Sequence, residues 1–258
     1  MKRILNVYAL PKFVEPDDLV GAAAVVIDVL RATTTITYAL EAGAVEVIPC
    51  LEVDDALELA EKFPEDEFVL GGEREGVPID GFHLGNSPDE YSPDRVGGKT
   101  LIFTTTNGTR AMTSVRRADA AFLAAFVNVS AVVAKLLEWD RIHVICAGTD
   151  GRVGEDDVLL AGMLVDRLQR QAGSSYELNA QAATAREFWL HSFALPQAIG
   201  AEPLEPERLV EQLRKTQGAK NLIALHLDED IVAAAQIDRF TVVPQLDTKA
   251  FRIRNAGG

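Results

Sequence analysis

Cysteine is nearly missing from this chain, with two in 258 residues, Cys50 and Cys146, and that scarcity excludes a disulfide-built scaffold and a cysteine-rich metal centre. Both lie in apolar runs and read as small buried hydrophobes. Basic residues are also few: 25 Lys and Arg stand against 39 Asp and Glu, a net charge of −14 without any basic stripe, which argues against a nucleic-acid partner. A small polyanion remains admissible where a few arginines face a pocket. No apolar run is long enough to cross a bilayer, and the short run after Lys2-Arg3 is broken by Asn6 and Pro11, so neither a membrane partner nor a signal peptide is expected and the reading is cytoplasmic. The GxxxxGK[ST] spacing of a P-loop is absent.

What is present is an α/β pattern. Apolar runs at 4–9, 23–28, 46–50, 67–70, 100–104, 120–124, 141–147 and 240–243 read as strands. Helical periods fall at 33–42, 53–63, 108–116, 129–138 and 155–171, then at 179–193, 206–216, 219–226 and 229–235. The expected fold is a three-layer α/β/α unit with a mainly parallel or mixed sheet, a single domain over 1–258 ending in a helical segment, 173–258. Sliding the sequence on itself places Asp28 on Thr104, Arg31 on Asn107, Gly43 on Asp119 and Gly72 on Gly148 without a gap. The pattern is that of two related lobes, about 20–96 and 97–172, although any two βαβαβ stretches align in this way. The connector 71–98, rich in Gly, Pro, Asp and Ser, is long enough to be functional.

Polar residues gather where the strands end, which is where α/β proteins bind ligands. Asp28 closes an apolar strand, a costly place for a carboxylate unless it caps the next helix or meets a cation. Arg31 offers a planar fork for phosphate, carboxylate or sulfonate, or a partner for Asp28 itself. Thr104 to Thr109 forms a hydroxyl-bearing turn with exposed N–H groups, an anion cradle by chemistry, although β-propensity and capping also favour threonine there. Gly71-Gly72-Glu73-Arg74 and Ala147-Gly148-Thr149-Asp150-Gly151 end two further strands in tight turns, and the Leu84 to Pro88 turn is placed to close over a site. Glu155-Asp156-Asp157 opens a helix, where acids are ordinary dipole partners, yet with Asp28 they make an oxygen-rich set suited to Mg²⁺.

The ordered strings IDVLRATTT, GGER, GFHLGNSP, TTTNGTRA, Asn128 and CAGTDG with the following ED and AG resemble the 2-phosphosulfolactate phosphatase family. The likeness runs from about Val25 to Gly162, with a fainter echo at 219–222 and 230–244. It implies a cytoplasmic Mg²⁺-dependent hydrolase that converts 2-phosphosulfolactate to sulfolactate and phosphate, a step towards coenzyme M. On these grounds Asp28, Arg31, Glu73 and Arg74 are expected to be catalytic. Substrate contacts are expected from Thr33, Asn86, Ser87, Thr105, Thr106, Asn107, Gly108, Thr109, Arg110, Asn128, Gly148 and Thr149. Mg²⁺ is assigned to Asp28, Glu155 and Asp156, phosphate to the 105–109 turn, and the sulfonate and carboxylate to Arg31 and Arg74. The strand-end aspartate of haloacid-dehalogenase phosphatases belongs to a DxDxT string, and Leu30 stands where its second Asp would be, so metal-activated water is favoured over a phospho-aspartate. His83 and Arg152-Val153-Gly154 depart from the family pattern, and His83 is a candidate for altered substrate preference. The rival reading is a non-catalytic α/β protein that binds a small dianion. The partner expected is a small anionic phosphorylated substrate, and a homodimer is compatible with the sequence.

Overall fold

The computed structural model describes residues 3–173, 175–193 and 206–256; residues 194–205 of the expected C-terminal segment lie outside the described residues. The elements follow in the order β1 (Ile4–Tyr8), β2 (Ala23–Ile27), α1 (Ala32–Glu41), β3 (Glu46–Cys50), α2 (Val53–Ala60), β4 (Phe68–Arg74), β5 (Val77–Pro78), α3 (Pro93–Val96), β6 (Thr100–Thr104), α4 (Gly108–Ser114) and β7 (Ala120–Ala124). They continue as α5 (Val129–Leu136), β8 (Arg141–Cys146), α6 (Glu155–Gln171), β9 (Glu177–Leu178), α7 (Ala180–Phe193), α8 (Pro206–Leu213), α9 (Gln217–Ala224), α10 (Asp228–Ala234), β10 (Pro244–Asp247) and β11 (Arg252–Asn255). None of the described helices is long and apolar enough to cross a membrane.

The strands β2, β3, β6 and β7 are buried along their whole length, which is why they read as continuous apolar runs: parallel strands covered on both faces have no solvent side to mark. Alternation still sorts their side chains. Val25, Ile27, Phe122, Ala124, Val144 and Cys146 pack with residues of α5, α6 and α7, whereas Ala24, Val26, Leu101, Phe103, Val47 and Leu123 face the opposite way, onto α1 and α4. Cys50, Leu70 and Ile102 meet α2 in a smaller cluster. Both cysteines are buried free thiols, as small hydrophobes would be.

One mixed sheet runs in the order β5-β4-β6-β3-β11-β10-β7-β2-β8-β1-β9. β6 lies between β3 and β4, parallel to both, with Thr104 level with Cys50 and Gly72. β2 lies between β7 and β8, parallel to both, with Ile27 level with Ala124 and Cys146. The first strand of each repeated stretch is therefore inserted between the second and third strands of the other stretch, and the sheet does not divide at residue 96. The equivalence sets Ile27 against Thr104, one residue away from the ungapped slide. The antiparallel hairpin β10–β11 joins the two halves, pairing with β7 on one side and β3 on the other.

That hairpin replaces the expected strand 240–243, whose residues instead run beside the Phe126–Asn128 turn, with the Phe240 N–H bonded to the Val127 carbonyl. Pairing starts only at Pro244. β11 carries Arg252 and Arg254, which converge on the buried carboxylate of Glu46; Arg254 Nη2 donates to Glu46 Oε2 at 2.6 Å. Charged residues disguised a strand whose only apolar position is Ile253. The connector also holds more structure than expected: β4 continues through Gly71-Gly72 to Arg74, and β5 and α3 follow.

Candidate active site

The turns after β2 and β6 share one construction. Asp28 Oδ1 accepts the Ala32 N–H at 3.2 Å, and Thr105 Oγ1 accepts the Thr109 N–H at 3.3 Å, so each residue just past its strand caps the following helix. A buried carboxylate braces each turn. Asp157 accepts from the amides of Val29 (2.9 Å) and Gly148 (2.8 Å), and Glu73 accepts from those of Thr106 (2.9 Å) and Gly76 (2.7 Å). The strand exchange brings the two turns together over α1 and α4. A Cβ on Gly108 would lie 2.6 Å from Ala32 Cβ, 2.9 Å from Asp28 Oδ2 and 3.0 Å from Thr105 Oγ1, so only glycine permits this approach.

Between the turns lies a cavity of about 610 Å³. Its polar wall includes Asp28, Arg31, Glu73, Asn86, Thr105, Thr106, Asn107, Thr149 and Asp150. The opposite wall comes from α9 and the residue after it, with Gly218, Asn221, Leu222, Ala224 and Leu225. Among the described residues Arg31 is the one basic side chain in the lining, against the acids Asp28, Glu73, Glu75 and Asp150. Its partner is Asp230, at 2.7 Å, and not Asp28. Thr106 Oγ1 and Asn86 Oδ1 are buried without partners, polar atoms left for a ligand.

Buried carboxylates dominate the electrostatics. Burial raises the Asp28 pKa to about 7, with Asp156 and Glu73 adding to the rise against the Ala32 amide and Arg31. Burial likewise raises Asp156 to about 6, opposed by its own amide and that of Leu30 and reinforced by Glu155. Asp157, buried beside both, is held well above the ordinary carboxylate range. Asp156 Oδ1 has no partner, and a Cβ on Gly218 would lie 3.2 Å from each of its carboxylate oxygens, so α9 begins directly against it. No three His, Cys, Asp or Glu among the described residues form a metal cage. Mg²⁺ needs less, taking one or two carboxylates and filling the rest of its shell with water and substrate oxygens, so the mutually repelling Asp28 and Asp156 suit it.

Several expected site residues lie elsewhere. Glu155 is exposed at the start of α6 and bears on Asp156 through its charge, while Asp157, part of the acidic set but not assigned to the metal, is buried and braces the turn. Arg74 turns away from the cavity, with Nη2 on the Leu51 carbonyl at 2.6 Å; adjacent residues of a strand point to opposite faces, and Glu73 takes the inner one. Arg110 is exposed on α4. Thr33 Oγ1 lies 2.8 Å from the carbonyls of Asp28 and Ala124, tying strand to helix. Asn128 is fully buried and links the Ala125 amide to the Val242 carbonyl. Thr109 stands behind Thr105, and Gly148, at φ +67°, serves the Asp157 brace. Ser87 reaches Asp230 at 2.9 Å. His83 Nδ1 accepts the Leu70 amide at 2.9 Å and does not line the cavity. Asp230 and the α9 wall carry no strand-end signature, and only the faint echo at 219–222 and 230–244 pointed to them.

The family model described as 2-phosphosulpholactate phosphatase matches residues 8–249. A Caldanaerobacter subterraneus protein named "Probable 2-phosphosulfolactate phosphatase" is 39% identical over 243 residues, covering 94% of this chain and 95% of its own. Proteins of the same name from Symbiobacterium thermophilum and Thermotoga maritima are each 38% identical over 232 residues, covering 88% and 90% of this chain and 92% of their own lengths. With both turns, the Asp156 helix, α9 and Asp230 all inside the matched span, this chain belongs to the 2-phosphosulfolactate phosphatase family.

Proposed function

We propose that the chain hydrolyses the phosphate monoester of 2-phosphosulfolactate to sulfolactate and phosphate, with Mg²⁺ as cofactor. The observation that carries this reading is the meeting of a carboxylate turn and a threonine turn across one cavity, in a chain of this family. Asp28 and Asp156 are the residues suited to hold the metal. Bound there, Mg²⁺ would supply positive charge against the phosphoryl oxygens and a water of lowered pKa. The Thr105 and Thr106 hydroxyls and the Asn107 amide bind and orient the phosphate, while Glu73 and Thr109 keep that turn rigid by holding the Thr106 and Thr105 amides.

Arg31 meets one of the two remaining anionic groups. With Arg74 turned away, the other falls to neutral donors such as Thr149 or the Asn86 amide, whose oxygen and nitrogen can exchange places to suit an anion. Four acids around one guanidinium would repel a polyanion, which is why the reading requires a divalent cation. Assay of inorganic phosphate released from 2-phosphosulfolactate, with Mg²⁺ and after chelation, tests both parts. Release that stops on chelation and returns with Mg²⁺ is expected. No release under any condition would overturn the activity, and release indifferent to chelation would overturn the metal.

A further inference from the structure

Among the described residues Arg31 is the one cationic group in a cavity rich in carboxylates, and left to itself a buried guanidinium would close on one of them, such as Asp28. It does not. Its Nη1 donates to Asp230 Oδ2 at 2.7 Å and faces Ser87 Oγ at 3.4 Å, while Nη2 donates to the Gly76 carbonyl at 2.9 Å. Ser87 Oγ donates to the same Asp230 oxygen at 2.9 Å, closing a triangle. The side chains of Arg31 and Asp230 are 4% and 6% exposed, so this pair is not a surface bridge that solvent can exchange. Asp230 does not line the cavity: it stands behind Arg31, on α10. Nε and one Nη2 hydrogen are not engaged by these bonds.

We propose that Asp230, with Ser87, is a positioning residue that holds Arg31 away from Asp28 and aims its free N–H groups at the non-transferring anion of the substrate. This deepens the phosphatase reading above and rests on it. A contact of this kind is made in the ground state and the transition state alike, so its loss appears chiefly in KM, and only for substrates that carry the second anion.

The test is steady-state kinetics at saturating Mg²⁺ of wild type, Asp230→Asn, Ser87→Ala, Arg31→Lys and the double variant Asp230→Asn/Arg31→Lys, on 2-phosphosulfolactate and p-nitrophenyl phosphate. Asp230→Asn is expected to lower kcat/KM on phosphosulfolactate about tenfold more than on the nitrophenyl ester, mainly through KM, and to add little in the Arg31→Lys background. Equal losses on both esters, or losses that add to those of Arg31→Lys, would reduce Asp230 to a tether for α10 and overturn the proposal. Should Asp230→Asn fail to fold, Ser87→Ala, which unpairs no charge, carries the same comparison and an unchanged ratio there overturns it. Wild type that hydrolyses neither ester would remove the phosphatase reading and this inference together, whereas wild-type turnover with unchanged ratios in the variants removes the inference alone.

Discussion

Asp28 gives one oxygen to the start of α1 and sets the other against the start of α4. Oδ1 caps α1 through Ala32, and Oδ2 lies where a Gly108 Cβ would touch it. Asn in its place keeps the cap and removes the charge. Asp28→Asn is therefore expected to cost at least about a hundredfold in kcat, as loss of an electrostatic catalytic group does, while the circular dichroism stays native. Activity within a few fold of wild type would refute the assignment. Stability moves the other way. Asp28 and Asp156 bind protons more tightly folded, at about 7 and about 6, than unfolded near 3.8, so the stability they contribute is full below that value and is lost as pH rises through 6 and 7. Metal-free wild type should melt lower near neutrality than at mildly acidic pH, and Asp28→Asn should flatten the slope and raise the neutral Tm; an unchanged slope would mean that burial and the neighbouring carboxylates do not raise the Asp28 pKa. Much of this residue-level design was legible. Asp28, Arg31, Glu73 and Thr105 to Asn107 announce themselves because a polar group ending an apolar strand is expensive without a purpose. Arg74, Arg110 and Glu155 share the same strings but not the same direction, since strands and helices send neighbouring side chains to different faces. Asp230 was hidden in an ordinary acidic first turn.

At the scale of elements, the site depends on α1 and α4 starting in contact. Gly108 sits at the start of α4 for spatial rather than conformational reasons, with three neighbours within 3.0 Å of a Cβ. Gly108→Ala must push α4 away from Ala32, Asp28 and Thr105 together. The expected cost is about 1–3 kcal/mol in stability from overpacking, and a loss in kcat of tenfold or more from the displaced Thr105–Asn107 turn. Thermal melting and phosphate-release kinetics on one preparation check both, and wild-type values would show that the approach is slack. Apart from the short α3, the helices could be read from period and punctuation to within a few residues, and α6 matches its expected limits of 155 and 171. The β10–β11 hairpin could not. In β11 Ile253 alternates with Arg252 and Arg254, which pair across the sheet with Glu46, so the partner that makes it a strand lies some 200 positions away in sequence.

At the scale of the whole molecule, strand exchange makes the two repeated stretches dependent on each other: β6 completes β3 and β4, and β2 completes β7 and β8. A fragment ending near residue 96 lacks the strand between β3 and β4, so neither it nor its complement should fold alone, and wild type should unfold in one transition in denaturant. Two separated transitions would contradict the exchange. The same whole carries a charge of −14, with four acids and one guanidinium among the described residues of the cavity lining. A substrate with phosphate, sulfonate and carboxylate groups thus approaches against the field of the protein, the reverse of a steered encounter. Salt screens that repulsion over a Debye length of about 8–10 Å near physiological strength. Raising NaCl at fixed saturating Mg²⁺ should therefore increase kcat/KM for 2-phosphosulfolactate, by roughly twofold or more across the low-salt range, through a lower KM and an unchanged kcat. p-Nitrophenyl phosphate, with fewer charges, should respond less. A fall in kcat/KM with salt would mean that attraction wins at the cavity mouth, and that the metal and Arg31 together outweigh every carboxylate around them.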